Sequence, residues 1–389
     1  MTPTHIPGFT STGSKRPGAL FGDEPLDDAL PLRMTRSAGC RVWDEHDRPY
    51  LDCLMGLGSV ALGYGHPEVG AAATRAIADG AVGPLPPVLE EEVASRLASL
   101  MPWVEQVRFV KSGAEAVAAA VRLARAATGR ELVFGSGYHG WLDWCQPGAA
   151  GVPVSAAALY QPLVFNDAEA ARSAIRLAGN RLAAVVAEPV VVDEPSGEWL
   201  RVLQEETERV GAVLVLDEVK TIGRLALGGG AERYGIRPGL VAMGKAIANG
   251  FPLAAVGGRA DLMAGATRTW ISSTLATEFV SLAAARATLD VLERERVPAH
   301  LERVGGRLLS GLRGLAERHP RHLVGAAGVP SMCFLRYVDD ATGAAVARQC
   351  ARRGLLFKRS AYNFMSLAHD EATVDQIVTI VDESLSALA

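Results

Sequence analysis

Residues 213–258 read VLVLDEVKTIGRLALGGGAERYGIRPGLVAMGKAIANGFPLAAVGG, and the fold turns on this stretch. Val213–Leu216, Leu240–Met243 and Leu253–Val256 are short apolar runs, too brief for helices and lacking the in–out alternation of a half-exposed sheet. Runs of this kind are strands buried on both faces. The first two end abruptly in polar residues, Asp217-Glu218 and Gly244-Lys245. Further toward the N-terminus, Val107–Val110, Glu131–Phe134 and Ala183–Ala187 have a similar form, and the last runs straight into Glu188-Pro189. Between them, Glu115–Thr128 and Leu200–Val210 have the length and spacing of helices, with Val117, Val121 and Ala124 on one face of the first. Alternating strands and helices predict an α/β domain on a mostly parallel sheet covered on both faces.

The chain has 389 residues, enough for two or three domains. Residues 1–39 mix Pro, Gly, Ser and charge without periodicity and read as an arm that must dock on something larger. From Arg41, RVWDEHDRPYLDCL reads as a hairpin with Asp47 in its turn. After Thr277 a helical pattern over Leu282–Arg294 leads into helix and strand signals. The expected division is 1–50 arm and hairpin, 51–281 large α/β domain and 282–389 smaller α+β domain. Hydrophobic residues make up 49% and charged residues 21%, which excludes a mainly disordered chain. A net charge of −4 announces no basic face and argues against a nucleic-acid partner. The five cysteines are scattered and form no metal-like cluster with the eight histidines, so we expect reduced, buried thiols, no metal and a cytoplasmic location. The N-terminus lacks an apolar leader and no apolar run is long enough for a membrane span.

Ligands of open α/β sheets bind at the carboxyl ends of strands, so Glu188, Asp217 and Lys245 are the first candidates for chemistry. Each alone is readily a solvated strand-end charge; an acid and a lysine on neighbouring strand ends converge on one cleft. Ser112-Gly113-Ala114-Glu115 marks a strand-to-helix junction with the spacing of a capping box. The same helix N-terminus, with a glycine and a hydroxyl, also forms a cup for phosphate. Gly239–Lys245 matches the spacing GxxxxGK, but Ala246 stands where a P-loop needs Ser or Thr for magnesium, and no GxGxxG follows a strand. Nucleotide hydrolysis and dinucleotide redox chemistry are thereby disfavoured.

These residues sit within longer matching stretches: LDCLMGLGSVALGYGHPEV from 51, VRFVKSGAEA from 107, GYHG from 137, AEPVV from 187, LDEVKTIGRLALGGGAERYG from 216 and GKAIANGFPLAAVGG from 244. In order and content the chain resembles the class III, fold type I aminotransferases that use pyridoxal phosphate (PLP), within them the glutamate-1-semialdehyde aminomutase group. The resemblance implies that Lys245 forms a Schiff base with PLP and shuttles protons, and that Asp217 pairs with the pyridine nitrogen. It implies a phosphate site at Ser112, Gly113 and Ala114, Tyr138 and Val219 on opposite faces of the ring, and Glu188 at the cofactor. His139 reads as structural. Thr274 would reach the cofactor phosphate of a second subunit, implying a homodimer with shared active sites.

The chain also departs from the pattern. Relatives often have Thr where Ala114 stands, and Val191 occupies a position that often carries Gln, with Asp193 as a substitute contact for the PLP hydroxyl. Where relatives continue GNPLA, this chain has Ala276-Thr277-Glu278-Phe279. On the arm and hairpin, Arg16 and Arg36, with Trp43, are candidates for the substrate and its carboxylate; Trp141 and Trp144 line the pocket or fill core. The leading expectation is an aminotransferase moving an amino group from an amine or amino acid to a small carbonyl acceptor. Its alternatives are an intramolecular 1,2-aminomutase, a PLP-dependent racemase, and a PLP-fold binding protein without activity.

Overall fold

The computed structural model describes residues 5–388 and divides them into two compact units, one of residues up to His66 together with Ala299 onward, the other of Pro67–Pro298. N-terminal and C-terminal segments thus share a unit that a linear reading of the chain separates.

The 67–298 unit is built on a seven-stranded sheet: β1 (Gln106–Val110), β2 (Leu132–Ser136), β3 (Tyr160–Pro162), β4 (Leu182–Ala187), β5 (Val213–Asp217), β6 (Leu240–Met243) and β7 (Ala254–Gly258). The strand order is β1-β7-β6-β5-β4-β2-β3. Pairings from β3 through β6 are parallel, whereas β7 runs antiparallel to both its neighbours, β6 and β1. The expected mostly parallel α/β sheet is borne out. All six expected strands are present within a few residues of their anticipated ends; β3, a three-residue edge strand, was not anticipated. Six longer helices accompany the sheet: α1 (Pro67–Ala78), α2 (Val88–Leu100), α3 (Gly113–Thr128), α4 (Ala168–Ala178), α5 (Gly197–Val210) and α6 (Phe279–Arg294). Central strands β4, β5 and β6 are buried along their whole length, which is why they carry unbroken apolar runs. Helix α3 buries Val117, Val121, Leu123 and Ala124 in the same core as Val215 and Ala242.

In the other unit, Met34–Ala38, Arg41–Asp44 and Pro49–Asp52 form an antiparallel meander, with Asp47 at positive φ in the expected turn. Leu355–Leu356 extends this sheet in parallel. A second, antiparallel sheet comprises Leu323–Val329, Met332–Tyr337 and Asn363–Phe364. The arm docks on the helix Asp340–Arg352 through the buried Arg348, whose guanidinium donates to the carbonyls of Phe21 (2.7 Å), Glu24 (2.8 Å) and Pro25 (3.0 Å). A planar five-donor group suits this task, because one side chain satisfies three carbonyls of a segment that has no ladder of its own. All five cysteines are free and buried. Among the described residues no helix is long and apolar enough to cross a membrane and no group of side chains is arranged to hold a metal.

Arg348→Met removes all three charge-assisted bonds, each worth about 1.5–3 kcal/mol in favourable cases. Limited proteolysis should then cut within residues 16–30 at low protease concentrations that leave the parent chain intact.

Candidate active site

Pairing along the centre of the sheet brings the polar strand ends together. Ala187 of β4 lies opposite Leu216 of β5, and Asp217 lies opposite Ala242 of β6. Glu188, Asp217 and Lys245 therefore leave three adjacent strands at one edge, as expected for the carboxyl ends of a parallel sheet. Lys245 follows the extended Gly244 and takes a left-handed conformation, φ +47°, at the start of a short 3₁₀ turn. A non-glycine residue there carries strain of order 1–3 kcal/mol, which folds retain where a side chain must be aimed.

The lysine amine is held below its ordinary pKa. Burial is the largest cause, followed by the like charge of Lys220, with Arg224 adding to them; Asp217 and Glu188 act in the opposite direction. The neutral, nucleophilic amine is thereby favoured. Asp217 is 4% exposed, and its Oδ2 lies 2.9 Å from Nδ1 of the buried His139. With Asp217 ionised, the imidazole donates that bond. Oδ1 accepts the N–H of Val219 at 3.2 Å. His139 in turn stacks on Trp144, 6.0 Å between ring centroids, and its Nε2 is buried without a hydrogen-bond partner among the described residues. Thus His139 fixes the carboxylate, a role that the sequence reading did not assign; its place beside Tyr138 was the available signal. Trp144 belongs to this core, whereas Trp141 is exposed.

Beside this trio, the capping box of α3 is complete. Ser112 Oγ accepts from Glu115 N at 3.3 Å and Glu115 Oε2 accepts from Ser112 N at 2.8 Å. Those bonds leave the first-turn N–H groups of Gly113 and Ala114 outside both the box and the helix ladder. A Cβ at Gly113 would lie 2.7 Å from Val219 Cγ1, so Val219 packs directly against the mouth of this cup. Gly244 also faces Val219, which stands between the cup and the strand that ends in Lys245. Tyr138 is 68% exposed, its N–H donating to Glu188 Oε2 at 2.8 Å. Glu188 Oε1 accepts from Lys220 Nζ at 2.8 Å, an ion pair in which each side chain is 9% exposed. The sequence reading passed over Lys220, and also the wholly buried Arg224, whose pKa burial lowers to about 10.

The departure at residues 276–279 has a structural consequence. Glu278 caps α6, accepting from Val280 N at 2.7 Å and Ser281 N at 3.0 Å. It also pairs with Lys111 Nζ at 2.7 Å, tying α6 to the residue that precedes Ser112. Burial pushes its carboxyl up, but Lys111 and Ser281 outweigh burial and hold it below its ordinary value. Thr274 lies in an exposed turn, and Asp193 is exposed as well. Arg16, Arg36 and Trp43 belong to the other unit, where Arg36 stacks on Trp43 at 3.8 Å and pairs with Asp47 at 3.0 Å.

A buried lysine whose proton affinity is lowered, a fixed buried carboxylate and a helix N-terminus with open N–H donors are residues that fit PLP. The class III aminotransferase family matches residues 24–385, and the chain belongs to it. Glutamate-1-semialdehyde 2,1-aminomutase of Thermus thermophilus is 34% identical over 98% of the chain and 96% of that protein. Among solved structures, the FumI protein of Sphingopyxis sp. MTA144 with PLP superposes with a TM-score of 0.89 at 28% identity, covering 96% of this chain and 93% of that one. The β-phenylalanine aminotransferase of Variovorax paradoxus gives 0.83 at 26%, with 93% and 90% covered. The protein is a PLP-dependent enzyme of fold type I.

Two outcomes check the site. Gly113→Ala forces Val219 aside or closes the cup, and should weaken PLP retention at least about tenfold by equilibrium dialysis. The second concerns Glu218, fully buried next to Asp217, whose carboxyl burial raises to about 7 although Thr221 and the N–H groups of Gly230 and Ala231 bond to it. A carboxyl raised on folding adds stability below its ordinary value near 4.5 and loses it as pH climbs through 7. Melting temperatures at pH 5 and pH 8 should show that loss in the parent chain and a flatter profile in Glu218→Gln.

Proposed function

We propose that the enzyme shifts an amino group between adjacent carbons of one small substrate, the intramolecular alternative to the transfer that the sequence alone put first. The observation that carries this reading is the 34% identity to glutamate-1-semialdehyde 2,1-aminomutase over nearly the full length of both chains. Amino transfer between two molecules is the second reading, favoured by the backbone likeness to a β-phenylalanine aminotransferase.

In either reading Ser112, Gly113 and Ala114 would hold the PLP phosphate, Tyr138 and Val219 the faces of its ring, Asp217 its ring nitrogen and Lys245 its aldehyde carbon, with Glu188 beside it. When bound, PLP supplies an electrophilic carbon that accepts an amino group and a heterocycle that takes up electrons as a substrate bond breaks. Asp217 would face the ring nitrogen, and the hydrogen bond with His139 holds its carboxylate in place. Lys245 Nζ, its proton affinity lowered mainly by burial, takes a proton from one substrate carbon and returns it to another. Val219, packed against the hydrophobic core, lends these groups an apolar neighbour. A homodimer in which Thr274 serves the second site is part of the same proposal. Its support is that Trp270 and Leu275, which flank Thr274 in sequence, are large apolar side chains 90% and 52% exposed. Arg16, Arg36 and Trp43 would serve as substrate contacts.

Incubation of the PLP-loaded enzyme with glutamate 1-semialdehyde, followed by chromatography and mass spectrometry, should yield a positional isomer of unchanged mass without any added donor. A keto product that forms only with a separate amine donor would establish transfer instead. Lys245→Ala should lower product formation by roughly 10²–10⁴-fold.

A further inference from the structure

Lys220 has no task in the scheme above, yet it is built into the site. It follows Asp217 by three positions, on the loop leaving β5, and only 9% of its side chain is exposed. Its ammonium is clamped 2.8 Å from Glu188 Oε1. The carboxylate is itself fixed, since its other oxygen accepts the N–H of Tyr138, and Gly137 packs so closely that a Cβ there would collide with it. The pair therefore draws on segments that follow β2, β4 and β5.

The charged groups acting on Lys245 are Asp217 at the end of β5, Glu188 after β4, and Lys220 and Arg224 on the loop after β5. Asp217 is also engaged by His139, from the segment after β2. An apolar side chain of the same length would fill the space of Lys220 without the expense of burying an ammonium. Retaining a charge here needs a reason that packing does not provide.

We propose that Lys220 is a positioning residue for the chemistry at Lys245: a second lysine, buried in the cleft and paired with Glu188, whose charge disfavours the cation of its neighbour. The inference rests on Lys245 being the reactive lysine and is indifferent to whether the reaction is a shift or a transfer. Lys220 acts twice. It places a like charge near Lys245, and it neutralises Glu188, whose carboxylate would otherwise favour the lysine cation. The low proton affinity of Lys245 accords with this arrangement, Lys220 ranking next after burial among its causes.

The test is competitive acetylation of the cofactor-free, full-length protein across pH 6–11, read lysine by lysine by peptide mass spectrometry. In the parent chain the labelling midpoint of Lys245 should fall below that of the exposed Lys15 in the same sample. Lys220→Met should raise the Lys245 midpoint by about one pH unit, and Lys220→Arg, which restores the charge, should return it to the parent position. At pH 7.5 the rate of PLP uptake should fall about tenfold in the Met variant and recover in the Arg variant. Should the Met variant fail to fold, Lys220→Met/Glu188→Gln removes the charged pair together, and its Lys245 midpoint should still lie above the parent value. An unmoved Lys245 midpoint in a folded variant, or a rise that Lys220→Arg does not reverse, overturns the proposal. Failure of the underlying assignment has a different signature: Lys245→Ala protein that still yields a borohydride-fixed cofactor, on another lysine peptide.

Discussion

The parallel pairing of β4, β5 and β6 is the constraint on which the rest of the structure depends. Neighbouring strands lie roughly 4.8 Å apart, so residues that leave adjacent strand ends are held within reach of one another by the backbone ladder alone. Ala187 opposite Leu216, and Asp217 opposite Ala242, fix which residues those are. Glu188, Asp217 and Lys245 are neighbours because the hydrophobic runs before them have nowhere else to go. A one-residue slip of β5 would turn Asp217 to the other face and dismantle the site without unfolding the sheet.

Concentrating charge at that edge is costly, and the surrounding residues show how the cost is met. Each buried carboxylate is committed to a donor: Glu188 to Lys220, Asp217 to His139, and Glu218 to Thr221 and two backbone N–H groups. At Lys245, burial, Lys220 and Arg224 disfavour the charge and outweigh Asp217 and Glu188, which favour it. That asymmetry is the chemical content of the cluster, since a catalytic amine works as a base and nucleophile only when its neighbours disfavour the proton. The left-handed backbone at Lys245 belongs with it, since strain of this kind is retained where a side chain must be aimed.

Much of this was legible in the chain. Buried strands announce themselves by unbroken apolar runs, and their polar termini by contrast, so Glu188, Asp217 and Lys245 could be named before their geometry was known. The short edge strand Tyr160–Pro162 could not, because three residues with two exposed carry no periodicity. His139 was read as structural because an imidazole between a tyrosine and a glycine does not reveal which carboxylate it faces. Only folding brings it to Asp217, across 78 residues of sequence. The cap of α6 was hidden for a similar reason: Ser, Thr, Asp and Asn are the usual capping residues, but Glu278 has a partner in Lys111 that sequence distance conceals. Local patterns specify elements, whereas long-range polar pairs are decided by packing.

That distinction also bears on which reaction the site performs. On the proposed reading, moving an amino group within one molecule and moving it between two would use the same lysine, carboxylate and helix N-terminus, so the residues near β4–β6 are silent between them. What differs is whether the partly reacted carbon skeleton stays bound long enough to receive the amino group at its neighbouring carbon. Retention is a matter of a few contacts, each worth about 1–3 kcal/mol, rather than of the charge cluster. A backbone can therefore superpose closely on an aminotransferase while the sequence tracks an aminomutase. The first likeness reports the scaffold that aims the shared groups, and the second reports the accumulated choices around them, where the retention contacts must be found.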